Sequence, residues 1–356
     1  MAVGNSGFDF QAEDQIEEAE RADELMNIRR RVAEALQGHS PAAFPLHFNE
    51  NVNSWHDRVI ARAVVLAEKE LADEGMGVPP VPYAFIVMGS SGRREMTLWS
   101  DQDNGLIYAD VHEQDRERTE RYFRRLGNVI VQELEQAGYP PCEGGVMGRN
   151  PMWRKSVSEW KAMLNGWIDD PTWENLRYFL IVADIRCLHG ESRLSEEVHD
   201  HLYALVAGHS HLLPRILEQS LYRKPALGLF GNVLTGRYGE ATGKIDVKYG
   251  LYLPYVNAIR FLSIRYGIKI TSTEGRLNQL LEKKILPASQ EPVLIEALST
   301  ALIFRMTASL SLETDHKNPS YLLTLKELDL HRKKELKKGL IVARMLQRSA
   351  TRSSRI

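Results

Sequence analysis

Apolar positions along this 356-residue chain recur at two spacings, and the change between them outlines the architecture. Over residues 11–37, Ile16, Ala19, Leu25, Met26, Val32 and Leu36 fall on one stripe at helical spacing, with charges elsewhere. A Pro-containing break, "GHSPAAFPLH", follows. A second helix is predicted from about Ser54 to Ala72. Asn53 or Ser54 is placed to cap it, and Trp55, Val59, Ile60, Ala63, Leu66 and Leu71 supply its apolar face. Gly75 and Gly77 stop it, and "VPPVPY" forces an extended entry to what comes next.

Strand patterns are few. "YAFIVM" (83–88) and "NGLIYAD" (104–110) read as strands, with a helix over about 115–137 after the second and a candidate third strand within "GYPPCEGGVMG" (138–148). From 156 to 350 the pattern is helical, with segments near 156–167, 171–188, 193–207, 212–222, 247–266, 273–283, 290–312 and 324–348. The expected class is α+β: a small mixed sheet with helices, followed by an all-helical domain. The expected division is an N-terminal helical extension (1–49), an α/β unit (50–155) and a helical C-terminal domain (156–356).

Composition changes this picture little. At 43% hydrophobic and 26% charged residues the chain is of ordinary globular type, and a net charge of −2 gives no global reason for nucleic acid or an anionic membrane as partner. The basic stretch 331–355 holds nine Lys/Arg against one Glu, but Leu336, Leu340, Ala343 and Leu346 give it the apolar face of a docked helix, with no aromatic platform for bases. Cys142 and Cys187 form no C-x-x-C pair, which speaks against a disulfide framework or a Cys-based zinc site. The N-terminal residues lack the pattern of a signal peptide, no apolar run approaches membrane-spanning length, and the expected location is the cytoplasm.

The chemistry gathers in "MGSSGRREMTLWSDQDNGLIY" (88–108). Side chains at i and i+2 of a strand share a face, so Asp101 and Asp103 project together at the mouth of the second strand. Adjacent half-buried carboxylates repel unless a cation joins them, and Mg²⁺ is typically held by one or two carboxylates plus substrate phosphates. Gly89, Ser90 and Ser91, at the end of the preceding strand, offer backbone N–H groups and hydroxyls to phosphate, with Arg93 and Arg94 nearby. Either arginine has Glu95 or the aspartates as an alternative partner.

Other candidates are weaker. No G-x-x-x-x-G-K-[ST] exists, and "GLFGNVLTG" is no dinucleotide fingerprint. His199, His201, His209 and His211 do not share one helix face. Asp184 and Arg186 read as a structural ion pair. Lys244, Asp246 and Lys248 follow a Gly-rich loop from which they could reach a nucleotide, and Arg149 and Lys155 follow a turn from which they could contact a triphosphate.

The 88–108 stretch resembles the nucleotidyltransferase superfamily of DNA polymerase beta. More specifically, it looks like the nucleotidyltransferases related to the N-terminal domain of bacterial PII-protein uridylyltransferase. "NPMWRKSVSEW", "VADIRCLHGES" and "ITSTEGRLNQL" are similar to that family's helical C-terminal domain, so the resemblance spans about residues 50–350. It implies two Mg²⁺ ions, with Mn²⁺ as an alternative, held by Asp101, Asp103 and a third acid. Glu143 is the expected third acid, with Asp110 as the weaker alternative. The expected nucleotide contacts are Gly89, Ser90, Ser91, Arg93, Arg149 and Lys248. The implied reaction moves UMP or AMP from UTP or ATP to a hydroxyl on a protein and releases pyrophosphate. The alternative is a nucleotide-sensing relative that regulates a partner without catalysis. A separate regulatory partner or self-association fits either reading.

Overall fold

In the computed structural model, which describes residues 13–37, 46–310 and 321–354, a sheet separates two hydrophobic cores. The first predicted helix is two: α1 (Glu13–Glu18) and α2 (Ala22–Gln37). Residues 11 and 12 of that prediction, and most of the Pro-containing break, lie outside the described residues. The next helix, α3 (Leu46–Asp73), begins eight residues before the expected Ser54. Asn53 is therefore no cap. It is buried mid-helix and pins residue 96, its Oδ1 accepting from the Met96 N–H at 2.7 Å.

Strand β1 (Tyr83–Val87) leads into a one-turn helix, α4 (Gly89–Gly92), and then to β2 (Asn104–Tyr108) and the long α5 (Glu113–Gln136). The segment 138–148, expected to hold a strand, is a run of turns. Pro140 and Pro141 have no N–H to give a ladder. Its backbone touches the aspartate loop through Gln102 N–H to Pro140 O and Asn104 N–H to Val146 O, both 3.0 Å. The third strand is instead β3 (Arg154–Ser156), followed by α6 (Val157–Asp169) and α7 (Trp173–Val182).

The helix expected over 171–188 ends early, and residues Arg186–Gly190 form β4. Strand order is β3-β2-β1-β4, with β1 antiparallel to both neighbours and β2 parallel to β3. The sheet thus takes its edge strand from beyond the boundary expected at 155. The "HGES" segment (189–192) is the end of this strand running into the next helix, α8 (Ser192–Gly208).

Beyond it come α9 (Leu213–Ser220), β5 (Lys244–Asp246), a π-helical turn (Lys248–Tyr252), α10 (Leu253–Arg265), α11 (Thr273–Glu282), α12 (Glu291–Leu310), β6 (Leu322–Thr324) and α13 (Leu330–Ser353). Strands β5 and β6 pair antiparallel, so the helical part carries a small ribbon that the helical periodicity hid.

Alternation along β1 assigns the cores. Tyr83, Phe85 and Val87 pack with α1, α2, α3 and α5, whereas Ala84, Ile86 and Met88 pack with the helices from α6 onward. The α12 stretch, taken from Ala288, is long and apolar enough to cross a membrane by length and composition. In this fold Leu294, Leu298 and Phe304 on it are core residues. The basic α13 docks as its apolar stripe requires, burying Leu336, Leu340, Ala343 and Leu346.

Candidate active site

The turn after β1 is shaped by what stands against it. Gly89 has φ of 55°, the left-handed region that glycine tolerates, and a Cβ there would overlap Oδ2 of Asp103. The Met88 N–H donates to Asp103 O at 2.9 Å, which keeps the aspartate beside the turn. A Cβ on Gly92 would likewise overlap the carbonyl of Asp184. Arg186, on β4, donates to Ser91 O at 2.9 Å and pairs bidentately with Asp57 of α3 at 2.9 and 2.7 Å. The turn is therefore clamped from both sides, with its first three N–H groups at a helix start where no intrahelical acceptor exists.

Asp101 and Asp103 are half-buried and precede β2. Between them Gln102 is buried, and its Nε2 donates to Tyr139 O at 3.2 Å. Asn104 Oδ1 accepts from Gly148 N–H at 2.8 Å. These bonds lay the 140–148 turns along the aspartates and bring in Cys142. Ligand atoms of Asp101, Asp103 and Cys142 all lie within 4.8 Å of one another, the one such group among the described residues. Glu143, expected to complete the acidic set, is exposed and outside this group. Asp110, the alternative, accepts instead from Ser158 at the far end of β2.

The electrostatics follow from this crowding. Burial first, and repulsion from Asp101 second, push Asp103 up to about 6; a hydrogen bond from the Cys142 thiol and the charges of Lys248 and Arg93 offset part of the rise. Burial and the Asp103 charge push Cys142 up to about 12, so near neutrality it is a thiol that donates to Asp103. Two carboxylates this close, one of them met by a neutral thiol, suit a divalent cation with oxygen ligands. The donor set therefore fits the Mg²⁺ that the resemblance implies through its two carboxylates, while the soft sulfur adds nothing for that ion.

The other expected contacts divide. Ser90 is half-buried, and Ser91 is buried with a hydroxyl that has no partner in the protein. Lys248 acts on Asp103 and lies over the Tyr321 and Tyr249 rings at 4.7 and 5.8 Å. It begins a π-turn, a feature common at functional sites. Arg93 does not present free donors to a nucleotide: they go to Glu95 (2.9 Å), Asp184 (2.5 Å) and Tyr252 (2.8 Å). Arg149 pairs with Glu135 at 3.0 Å.

Asp184 and Arg186 do not pair with each other. Asp184 is fully buried among Arg93, Arg260 and Arg276; burial works to raise its pKa, but the three guanidiniums hold it well below the usual carboxylate range. His199, His201 and His209 spend ring nitrogens on Ala183 O, Asn165 and Leu205 O. Cys142 and the arginines Arg260 and Arg276 were missed by sequence reasoning. The signal for Cys142 was its place beside Glu143 in one turn; the arginines gave none.

Residues 23–174 match the family described as "Putative nucleotidyltransferase DUF294", and residues 210–354 match its "Putative nucleotidyltransferase substrate binding domain". No curated protein matches the chain. The first match holds the Gly-Ser turn, both aspartates and Cys142; the second holds Lys248 and the arginines that reach Asp184 from α10 and α11. With both parts in order along a fold of the expected class, the chain belongs to this nucleotidyltransferase family with its C-terminal substrate-binding domain.

Proposed function

We propose that this protein transfers a nucleoside monophosphate, UMP or AMP, from UTP or ATP to a hydroxyl on a regulatory protein in the bacterial cytoplasm, releasing pyrophosphate. One observation carries the reading: the Asp103 carboxylate stands where a Cβ on Gly89 would be, so a metal-binding acid and a phosphate-binding turn share one surface. In this reading Asp101 and Asp103 hold Mg²⁺. The amides of residues 89–91, with the Ser90 and Ser91 hydroxyls, hold the β- and γ-phosphates, and Lys248 reaches the triphosphate from the substrate-binding domain. Bound Mg²⁺ supplies charge neutralisation at the phosphates and a lowered pKa for the acceptor hydroxyl. The chain's part is positioning and fixed dipoles. The protein acceptor rests on the resemblance to PII-protein uridylyltransferase.

A second reading, nucleotide sensing without transfer, is favoured by the thiol of Cys142 in place of a third acid. One experiment separates the two. The protein is incubated in cell extract with each α-labelled NTP and Mg²⁺, beside an Asp101→Ala/Asp103→Ala variant. The transferase reading expects a labelled protein band that the variant does not produce. A band unchanged in the variant would sink it, and nucleotide binding without any labelling selects the sensor.

A further inference from the structure

The turn that carries Cys142 gives the site a donor for which Mg²⁺ has little use. Sulfur is a soft ligand, and aspartate–cysteine sets suit Zn²⁺ and its congeners. Cys142 Sγ and one oxygen from each aspartate already lie within 4.8 Å of one another. Donor atoms around tetrahedral Zn²⁺ sit about 3.5 Å apart, a contraction within reach of side-chain rotation. A second observation is independent of this trio. Ser91 is 4% exposed, its hydroxyl has no partner in the protein, and it lines a small cavity whose wall includes Asp101 and Asp103 but not Cys142. An orphaned buried hydroxyl costs stability unless a ligand or ordered water meets it. The other cysteine, Cys187, lies on β4 with its thiol directed to His189 O, outside the group.

We propose that Asp101, Asp103 and Cys142 form a binding site for a thiophilic divalent cation, Zn²⁺ foremost, which displaces Mg²⁺ from the two aspartates and holds the enzyme inactive. The proposal rests on the reading of those aspartates as the Mg²⁺ ligands. Binding forms one sulfur–metal bond; the thiol proton leaves to buffer, and nothing is oxidised or reduced. Mg²⁺, with its preference for oxygen, leaves the thiol protonated. Zn²⁺ gains a thiolate bond that Mg²⁺ cannot match, so the same two carboxylates serve two ions with opposite results.

The test uses the full chain and Cd²⁺, whose thiolate bond gives an ultraviolet charge-transfer absorption that histidine and carboxylate sites do not produce. Zn²⁺ calorimetry in two buffers of different protonation enthalpy counts the proton released. The wild-type chain and Cys187→Ser are expected to give the absorption with about one Cd²⁺ bound and about one proton released. Cys142→Ser is expected to lose the absorption, to bind Zn²⁺ at least about tenfold more weakly and to keep its Mn²⁺ affinity. Absence of the absorption in the wild-type chain, or its survival in Cys142→Ser, overturns the proposal. NTP labelling in Mg²⁺ is scored separately. A Cd²⁺ band without labelling supports this site and counts against the transferase; labelling without the band does the reverse.

Discussion

Asp184 and the Asp101–Asp103 pair sit a few residues' reach from the same turn, yet they meet opposite surroundings. Asp184 is fully buried and receives three guanidiniums, from Arg93, Arg260 and Arg276, at 2.5, 2.8 and 2.7 Å. Around it Glu95 accepts from Arg93 and Tyr252, and its second oxygen accepts from the Thr273 N–H at 3.1 Å. Each guanidinium there meets a carboxylate of the chain. Asp101 and Asp103 face each other and a neutral thiol, with Lys248 and Arg93 acting on Asp103 as charges. The difference separates a carboxylate used for structure from a pair held ready for something that arrives from solution.

The largest effect is expected where the comparison is most strongly built. Asp184→Asn should cost about 3–5 kcal/mol in urea unfolding, since it leaves three buried guanidiniums short of their counter-charge. A loss below about 1 kcal/mol would mean that the arginines find other acceptors. Gly89→Ala should follow at about 1–3 kcal/mol, combining a strained φ with the overlap on Asp103. Gly75→Ala, at φ 80° but with open space around it, is the control that carries backbone strain alone.

At Asp103 the usual sign of a carboxylate's pH dependence is inverted. Asp103 titrates at about 6 in the folded protein, above its ordinary value, so the metal-free native state holds that proton more tightly than the unfolded chain. Its contribution is fully present below the ordinary carboxylate value and is lost as pH rises through about 6. Asp103→Asn should therefore stabilise the metal-free protein by about 2 kcal/mol at pH near 7.5, with no gain near pH 4. Urea midpoints at the two pH values check this, and added Mg²⁺ should restore the wild-type protein while leaving the variant unmoved. The smallest effect is Lys248→Ala: about a tenfold rise in the KM for NTP, about 1.4 kcal/mol, with Mg²⁺ affinity unchanged. Equal losses in both would place Lys248 with the metal rather than with the phosphates.

What could be read from the sequence was local. The β1 turn and the aspartate pair lie within twenty-one consecutive residues, and i, i+2 spacing placed both carboxylates on one side. The Asp184 cluster was illegible because its partners stand 91, 76 and 92 residues away. Strand β4 was hidden because the helical pattern of α7 runs into it with no break stronger than Ala183–Asp184. That Cys142, and not the adjacent Glu143, turns toward the aspartates was equally illegible. That direction is set by backbone contacts of Pro140 and Val146 with the aspartate loop, which no residue pattern displays.

Strand β4 also carries a consequence for the order of events during synthesis. The chain emerges from its N-terminus, and domains generally fold as units in that order. Here β1 pairs on one side with β2, some twenty residues later, and on the other with residues 186–190, a hundred residues later. Until Arg186 has left the ribosome, nothing clamps Ser91 to Asp57, and the face of Ala84, Ile86 and Met88 lacks most of its cover. The aspartates are made early, but the turn they serve takes its final shape only after the chain has passed Gly190, so a stalled or shortened product is left with an open strand edge rather than a smaller working enzyme.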